Sequence, residues 1–158
     1  NNYINRGIGG QTTSQMLIRF RQDVINLKPK SVVILAGIND IARNNKFYSL
    51  EIIAENIFSM VELAKINGIV PIMCSVLPAD EFRWNPDISP VDSVVKLNTL
   101  LKAYANKNQV IYLNYFDEMD NNKGGLRVEL TSDGVHVTKK GYELMSVLAK
   151  QSVSTTFK

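Results

Sequence analysis

The stretch Ser31-Val32-Val33-Ile34-Leu35-Ala36-Gly37-Ile38-Asn39-Asp40 decides the fold. After Ser31, Val32-Val33-Ile34-Leu35 form an unbroken apolar run rather than an apolar/polar alternation. A strand of that kind is covered on both faces, as in parallel sheets with helices above and below. The run ends on a glycine followed by polar residues, which reads as a loop at the strand's carboxyl end. Residues 69–76 and Val110-Ile111-Tyr112-Leu113 repeat the apolar pattern.

Helical periodicity fills the intervals. Met16, Leu17, Phe20, Val24 and Leu27 recur at helical spacing, with Thr12 or Thr13 suited to cap the helix and Pro29 to end it. A second helix is predicted over residues 49–66, with Leu50, Ile53, Ile57, Met60, Val61 and Ala64 on one side and Asn67-Gly68 closing it. Val94, Leu97, Leu101 and Tyr104 mark a third. Thr138 caps a last helix carrying Leu144, Met145 and Leu148. Tyr3-Ile4-Asn5 reads as the tail of a short strand. Residues 77–90, with three prolines, Phe82 and Trp84, read as a long loop. Apolar strands alternating with amphipathic helices predict parallel βαβ units in an α/β fold, a three-layer α/β/α sandwich. No linker or repeat divides residues 1–158, so one domain is expected.

Composition narrows the function classes. At 158 residues the chain is long enough for a real core. A net charge of +3, with scattered lysines and arginines, gives no footing for nucleic-acid binding. The single cysteine, Cys74, excludes an intrachain disulfide and a cysteine-rich metal site. No run is long and apolar enough for a membrane span. The sequence opens on Asn1 without an initiator Met, and reads as a piece whose beginning lies elsewhere. Compartment stays open, and secretion or a periplasmic location is compatible, with any signal upstream of Asn1.

Three segments lie at or near loops following strands, where α/β sheets place ligands. Gly7-Ile8-Gly9-Gly10 precedes a helix N-terminus, and its backbone N–H groups suit a developing negative charge; read alone, a glycine cluster is a tight turn. Thr12 stands where a dinucleotide fingerprint needs another glycine, and no Gly-Lys-Ser/Thr follows, so both phosphate motifs fail. Gly37-Ile38-Asn39-Asp40 offers the Asn39 NH2 as an oxyanion donor; alone it reads as an Asx turn or cap. Asp40 reads as a structural residue that bonds loop backbone. Asp133-Gly134-Val135-His136 holds the sole histidine. A carboxylate three residues before it on a turn can fix its tautomer. His136 with Asp40 and Asp133 is a thin metal-ligand set without familiar spacing.

Taken together, and in this order, the three segments resemble those of the SGNH hydrolases, also called GDSL esterases/lipases. The resemblance spans essentially the whole chain and three of four family blocks; residues 77–84 look most like lysophospholipase L1-like acylhydrolases. It implies a flavodoxin-like sheet and hydrolysis of carboxylic esters with neither cofactor nor metal. By motif, Gly10 gives a backbone N–H and Asn39 its side-chain NH2 to the oxyanion. His136 is the base and then the acid, and Asp133 orients it. Apart from the resemblance, Phe82 and Trp84 are candidate pocket residues suited to stacking on a sugar ring, and suit burial in the loop's own small core at least as well. Gln11 and Val137 depart tolerably from the common pattern.

The family's first block, Gly-Asp-Ser on the first strand, is absent. Ser14 falls inside a helix, Ser132 stands awkwardly beside Asp133, and Cys74 belongs to an apolar strand; Ser75, at a strand end, is the best in-chain candidate, without a nucleophile turn around it. The expectation is therefore an N-terminally truncated domain without its first strand, whose place is filled by a second polypeptide, by rearrangement or by self-association. The expected substrate is a small acyl or acetyl ester. Two alternatives stand beside the hydrolase: a non-catalytic carbohydrate- or lipid-binding module on the same fold, and, more weakly, a nucleotide-binding flavodoxin-like protein.

Overall fold

The computed structural model describes residues 3–157. Helix α1 spans Thr13–Asp23. Thr12 sits before it in extended backbone, and its N–H donates to the Gln15 side chain at 2.9 Å. A 3-10 turn, Ile25–Leu27, then closes on Lys28 in the left-handed region (φ 48°), just ahead of Pro29. Strand β1 (Ser31–Ile34) leads into a single-turn helix, α2 (Ile38–Ile41). Helix α3 (Leu50–Ile66) starts on Ser49, whose hydroxyl accepts the Ile52 N–H. Strand β2 (Val70–Cys74), helix α4 (Val91–Asn108) and strand β3 (Ile111–Leu113) follow. A short helix α5 (Tyr115–Met119) precedes the last helix, α6 (Lys139–Thr156), which Thr138 caps through the Gly141 N–H at 3.3 Å.

The strands form one parallel sheet in the order β1-β2-β3, with Val33 opposite Ile72 and Met73 opposite Tyr112. Strand side chains alternate between faces, and each face feeds its own core. Val32, Ile34, Met73 and Tyr112 meet α1, α3 and α4, whose Ile53, Ile57, Met60 and Leu97 are fully buried. Ile72, Cys74 and Leu113 meet α5 and α6 through Tyr115, Met119, Leu144 and Leu148. Burying each of the larger side chains contributes about 1.5–3 kcal/mol, so the α3 stripe is the main clamp on the first face.

β1 is the exposed border of this sheet. Its free edge pairs with no strand among the described residues. Val33 stays 42% exposed although its register partner Ile72 is fully buried: Ile72 belongs to the cluster that α6 joins through Leu144, Met145 and Leu148, and Val33 does not. Tyr3-Ile4-Asn5, expected as strand, makes no ladder. No neighbouring strand among the described residues supplies the N–H and C=O partners that an extended segment needs, and Tyr3 and Ile4 lie exposed.

Candidate active site

The tightest piece of geometry is the turn that carries the histidine. Asp133 Oδ1 accepts the backbone N–H of Val135 (3.0 Å) and of His136 (2.8 Å). Its Oδ2 faces His136 Nδ1 at 2.7 Å. Gly134 turns the chain at φ +89°, a conformation that favours glycine. Thr131 closes the turn: its hydroxyl donates to the His136 carbonyl at 2.8 Å and accepts the Gly134 N–H at 3.0 Å. A bridge between Thr131 and Val137 fastens the turn's two ends.

Burial pushes the Asp133 carboxyl up, but the His136 and Val135 N–H groups and the His136 ring outweigh it and hold the group down at about 2. The carboxylate is thus ionised and only accepts, so Nδ1 carries the imidazole proton and Nε2 presents its lone pair. The His136 ring is largely exposed, so that lone pair is accessible.

Gly10 and Asn39 come from two loops that the fold presses together. Gly10 occupies a turn closed by the Gln11 N–H on the Ile8 carbonyl, at φ +78°. Its own N–H has no partner among the described residues. Asn39 sits on α2 and donates from Nδ2 to the Gln11 carbonyl at 2.9 Å. Asn44 donates to the Gly10 carbonyl (3.3 Å) and to Asn39 Oδ1 (3.1 Å). Asp40 locks α2 to α1: its buried carboxylate accepts the Thr13 N–H at 2.9 Å and the Thr13 hydroxyl at 2.7 Å. Burial raises its pKa, and the Thr13 bonds oppose that rise. This matches the structural role expected for Asp40.

The two loops open on one cavity of about 140 Å³ at the carboxyl ends of β1 and β2, lined among others by Gly7, Gln11, Leu35, Asn39 and Val135. Val135 brings the histidine turn to its rim, and Gly7 and Ile8 bring the glycine loop; of the residues expected in the site only Asn39 lines it, and Gly10, Asp133 and His136 do not. Arg19, which also lines this cavity, donates to the Gln11 side chain (2.6 Å) and to the Arg6 carbonyl (2.7 Å), and together with Arg6 it pairs with Asp23. That double pairing, led by the Arg6 hydrogen bond, lowers the Asp23 pKa.

The two aromatic residues carried as pocket candidates part company. Trp84 is 49% exposed, and its ring centroid lies 5.9 Å from that of His136. Phe82 is fully buried and sits 5.2 Å behind Trp84. Phe82 is therefore not a pocket-wall residue: it anchors the loop, and Trp84 alone of the pair faces solvent.

No hydroxyl or thiol among the described residues hydrogen-bonds His136 Nε2. Ser75 is fully buried and its hydroxyl accepts the Phe116 N–H at 2.8 Å. Ser14 is engaged with Thr12 at 3.2 Å. Burial drives the Cys74 thiol far up, away from thiolate. Among the described residues no group of three or more His, Cys, Asp or Glu is placed to hold a metal ion.

Comparison with known proteins now bears on this arrangement. The family model for GDSL-like lipase/acylhydrolases matches residues 1–144. The chain belongs to that family. A crystal structure of a candidate acylhydrolase from Bacteroides fragilis is 46% identical, covering 99% of this chain and 76% of that one, at TM-score 0.95. A GDSL-like lipase from Bacteroides thetaiotaomicron is 45% identical, covering 98% and 77%, at TM-score 0.93. The uncharacterized lipoprotein YqeF of Bacillus subtilis is 37% identical over 81 residues, which are 49% of this chain and 33% of that protein. The match thus spans a third of that lipoprotein's length. The α/β sandwich and parallel sheet are those of the SGNH hydrolases, and the family is one of hydrolases acting on esters. No helix among the described residues is long and apolar enough to cross a membrane.

Proposed function

We propose that this chain forms the base-and-oxyanion portion of a carboxylic ester hydrolase. A serine hydroxyl attacks the ester carbonyl while His136 Nε2 takes its proton. The tetrahedral oxyanion accepts the Gly10 N–H and an Asn39 Nδ2–H. As the intermediate collapses, His136 returns the proton to the leaving alcohol, and water then releases the acid by the same route. Asp133 holds the Nδ1–H and stabilises the imidazolium. The observation that carries this reading is the 2.7 Å Asp133–His136 contact, which leaves Nε2 without a partner among the described residues, on a turn whose Val135 lines the same cavity as Asn39.

The serine is proposed to come from polypeptide outside these 158 residues, on a strand beside the free edge of β1. Two observations support that placement: the apolar Val33 exposed at this border, and the cavity that opens at the strand's carboxyl end. The polypeptide is either an extension of the same chain or a second chain. Without a nucleophile, an oxyanion hole and binding leave only about 10³–10⁴-fold acceleration over water. The test is hydrolysis of a short-chain ester, with fluorophosphonate labelling, by these 158 residues and by an N-terminally extended form. Activity and label in the extended form alone are expected. Equal strong activity in both refutes the external serine.

The exposed Trp84 beside His136 favours one other reading, a carbohydrate- or lipid-binding module on the same fold. Calorimetric binding of oligosaccharide, with no hydrolysis by any form, would select it. A lipoprotein relative supports a secreted or periplasmic location, tested by fractionating cells that express the natural gene.

A further inference from the structure

We propose that Asn44 is the positioning residue that orients both oxyanion donors, an inference that rests on the roles proposed for Gly10 and Asn39. Its side chain bridges the two loops. Nδ2 spends one hydrogen on the Gly10 carbonyl (3.3 Å) and the other on Asn39 Oδ1 (3.1 Å).

These bonds decide which end of the Asn39 amide does what. Because Oδ1 accepts from Asn44, Nδ2 is turned the other way, where one hydrogen meets the Gln11 carbonyl at 2.9 Å. The second hydrogen has no partner among the described residues. A flipped Asn39 amide would set oxygen against the Gln11 carbonyl and NH2 against the Asn44 NH2, two like-pole contacts. At Gly10 the same amide pins the carbonyl on one side of the Cα. With φ held at +78°, that restricts where the Gly10 N–H points.

The backbone explains how Asn44 reaches this position. Helix α2 ends in a Schellman turn: the Asn44 N–H bonds the Asn39 carbonyl at 3.0 Å, and the Arg43 N–H bonds the Asp40 carbonyl at 3.0 Å. Arg43 takes the left-handed conformation (φ 58°) that usually falls to glycine there. The reversal brings the Asn44 side chain back over α2 and onto the Gly10 loop.

The experiment pairs spectroscopy on the 158-residue chain with kinetics on the serine-bearing form, using Asn44→Asp and Asn44→Ala. Asp keeps the volume but only accepts and brings a charge, whereas Ala removes the donor without a charge, so a loss shared by both variants reads the donor rather than volume or charge. The expected result is movement of the Gly10 N–H and Asn39 side-chain NH2 nuclear magnetic resonance signals in both variants. The expected kcat loss is about tenfold to a hundredfold with KM little altered, against about a hundred- to a thousand-fold for Asn39→Ala. Asn44→Gln, which keeps the donor, should recover part of the loss. Unmoved signals and full kcat in Asn44→Asp, with Asn39→Ala still costing a hundredfold, overturn the inference and leave the esterase reading intact. Full kcat in Asn39→Ala, or no hydrolysis by any form, overturns the esterase reading and this inference with it.

Discussion

Replacing Gly37 by alanine tests how the loop bearing Asn39 is held. Gly37 has φ +116°, and a Cβ there would meet Leu97 Cδ2 at 2.9 Å, Val76 Cγ2 at 3.3 Å and Ile53 Cγ2 at 3.6 Å. Two costs add. Positive-φ backbone costs a non-glycine residue about 1–2 kcal/mol, and inserting a methyl into a packed core costs about 1–3 kcal/mol. The stiffer unfolded chain returns about 0.4–1 kcal/mol. The net loss is therefore about 1–5 kcal/mol, centred on about 3 kcal/mol. Gly68 is the internal control: φ is +72°, and nothing lies within 4 Å of its Cβ. Gly68→Ala should carry the backbone cost alone, about 1 kcal/mol after the same offset. Urea unfolding followed by circular dichroism reads both. With a slope of about 1–3 kcal/mol per molar, the Gly37→Ala midpoint should fall by about 1 M or more, well beyond that of Gly68→Ala. A Gly37→Ala loss no larger than the Gly68→Ala loss would show that the Leu97 contact relaxes freely and would refute the packing argument.

Three further outcomes follow from the same geometry. In the serine-bearing form, Asp133→Asn presents an NH2 to Nδ1 and reverses the imidazole tautomer, so kcat for a short-chain ester should drop about 10⁴-fold; a loss under tenfold would remove the pair from the chemistry. The Asp133 carboxyl is depressed from 3.8 to about 2, so its contribution to stability is full above about pH 4 and is lost as pH falls through about 2. Unfolding midpoints of the parent and Asp133→Asn should therefore converge as pH falls through that window, whereas raised Asp40 contributes with the opposite sign. Arg43→Gly should raise stability by about 1 kcal/mol by relieving left-handed backbone, and so raise Tm by about 2–4 °C; a fall would show that the Arg43–Phe47 cation–π contact at 5.2 Å matters more.

The elements legible in the sequence are those with one dominant local cause. The apolar run from Val32 announces a strand, although β1 lies at the sheet border with Val33 exposed rather than covered on both faces; Ser49 and Thr138 announce helix starts because their hydroxyls accept exposed N–H groups. Asp133–His136 is legible for a similar reason, since a carboxylate three residues away on a glycine turn reaches the ring by itself. The one-turn helices α2 and α5 carry too few residues to show a period. In sequence Phe82 and Trp84 suit a pocket wall and the loop's own core alike, and only tertiary packing buries one and exposes the other. Asn44 carries no motif, because its partners are fixed by how α2 docks against the Gly10 loop. Thr131 has a local signal, because a Thr hydroxyl can bond backbone groups a few residues along, but that signal is shared by many threonines.

The two halves of the site differ in how far along the chain their partners lie. Asp133 and His136 are three residues apart, and the bonds that set them stay within a few residues. The donor loops join across 28 residues from Gln11 to Asn39 and 34 from Gly10 to Asn44. Closing the longer loops costs more chain entropy and relies on the docked helices. Mild denaturant should thus part the Gly10 and Asn39 loops while the imidazole is still paired. The histidine turn is set by its own few residues, whereas the juxtaposition of those two loops depends on the assembled domain.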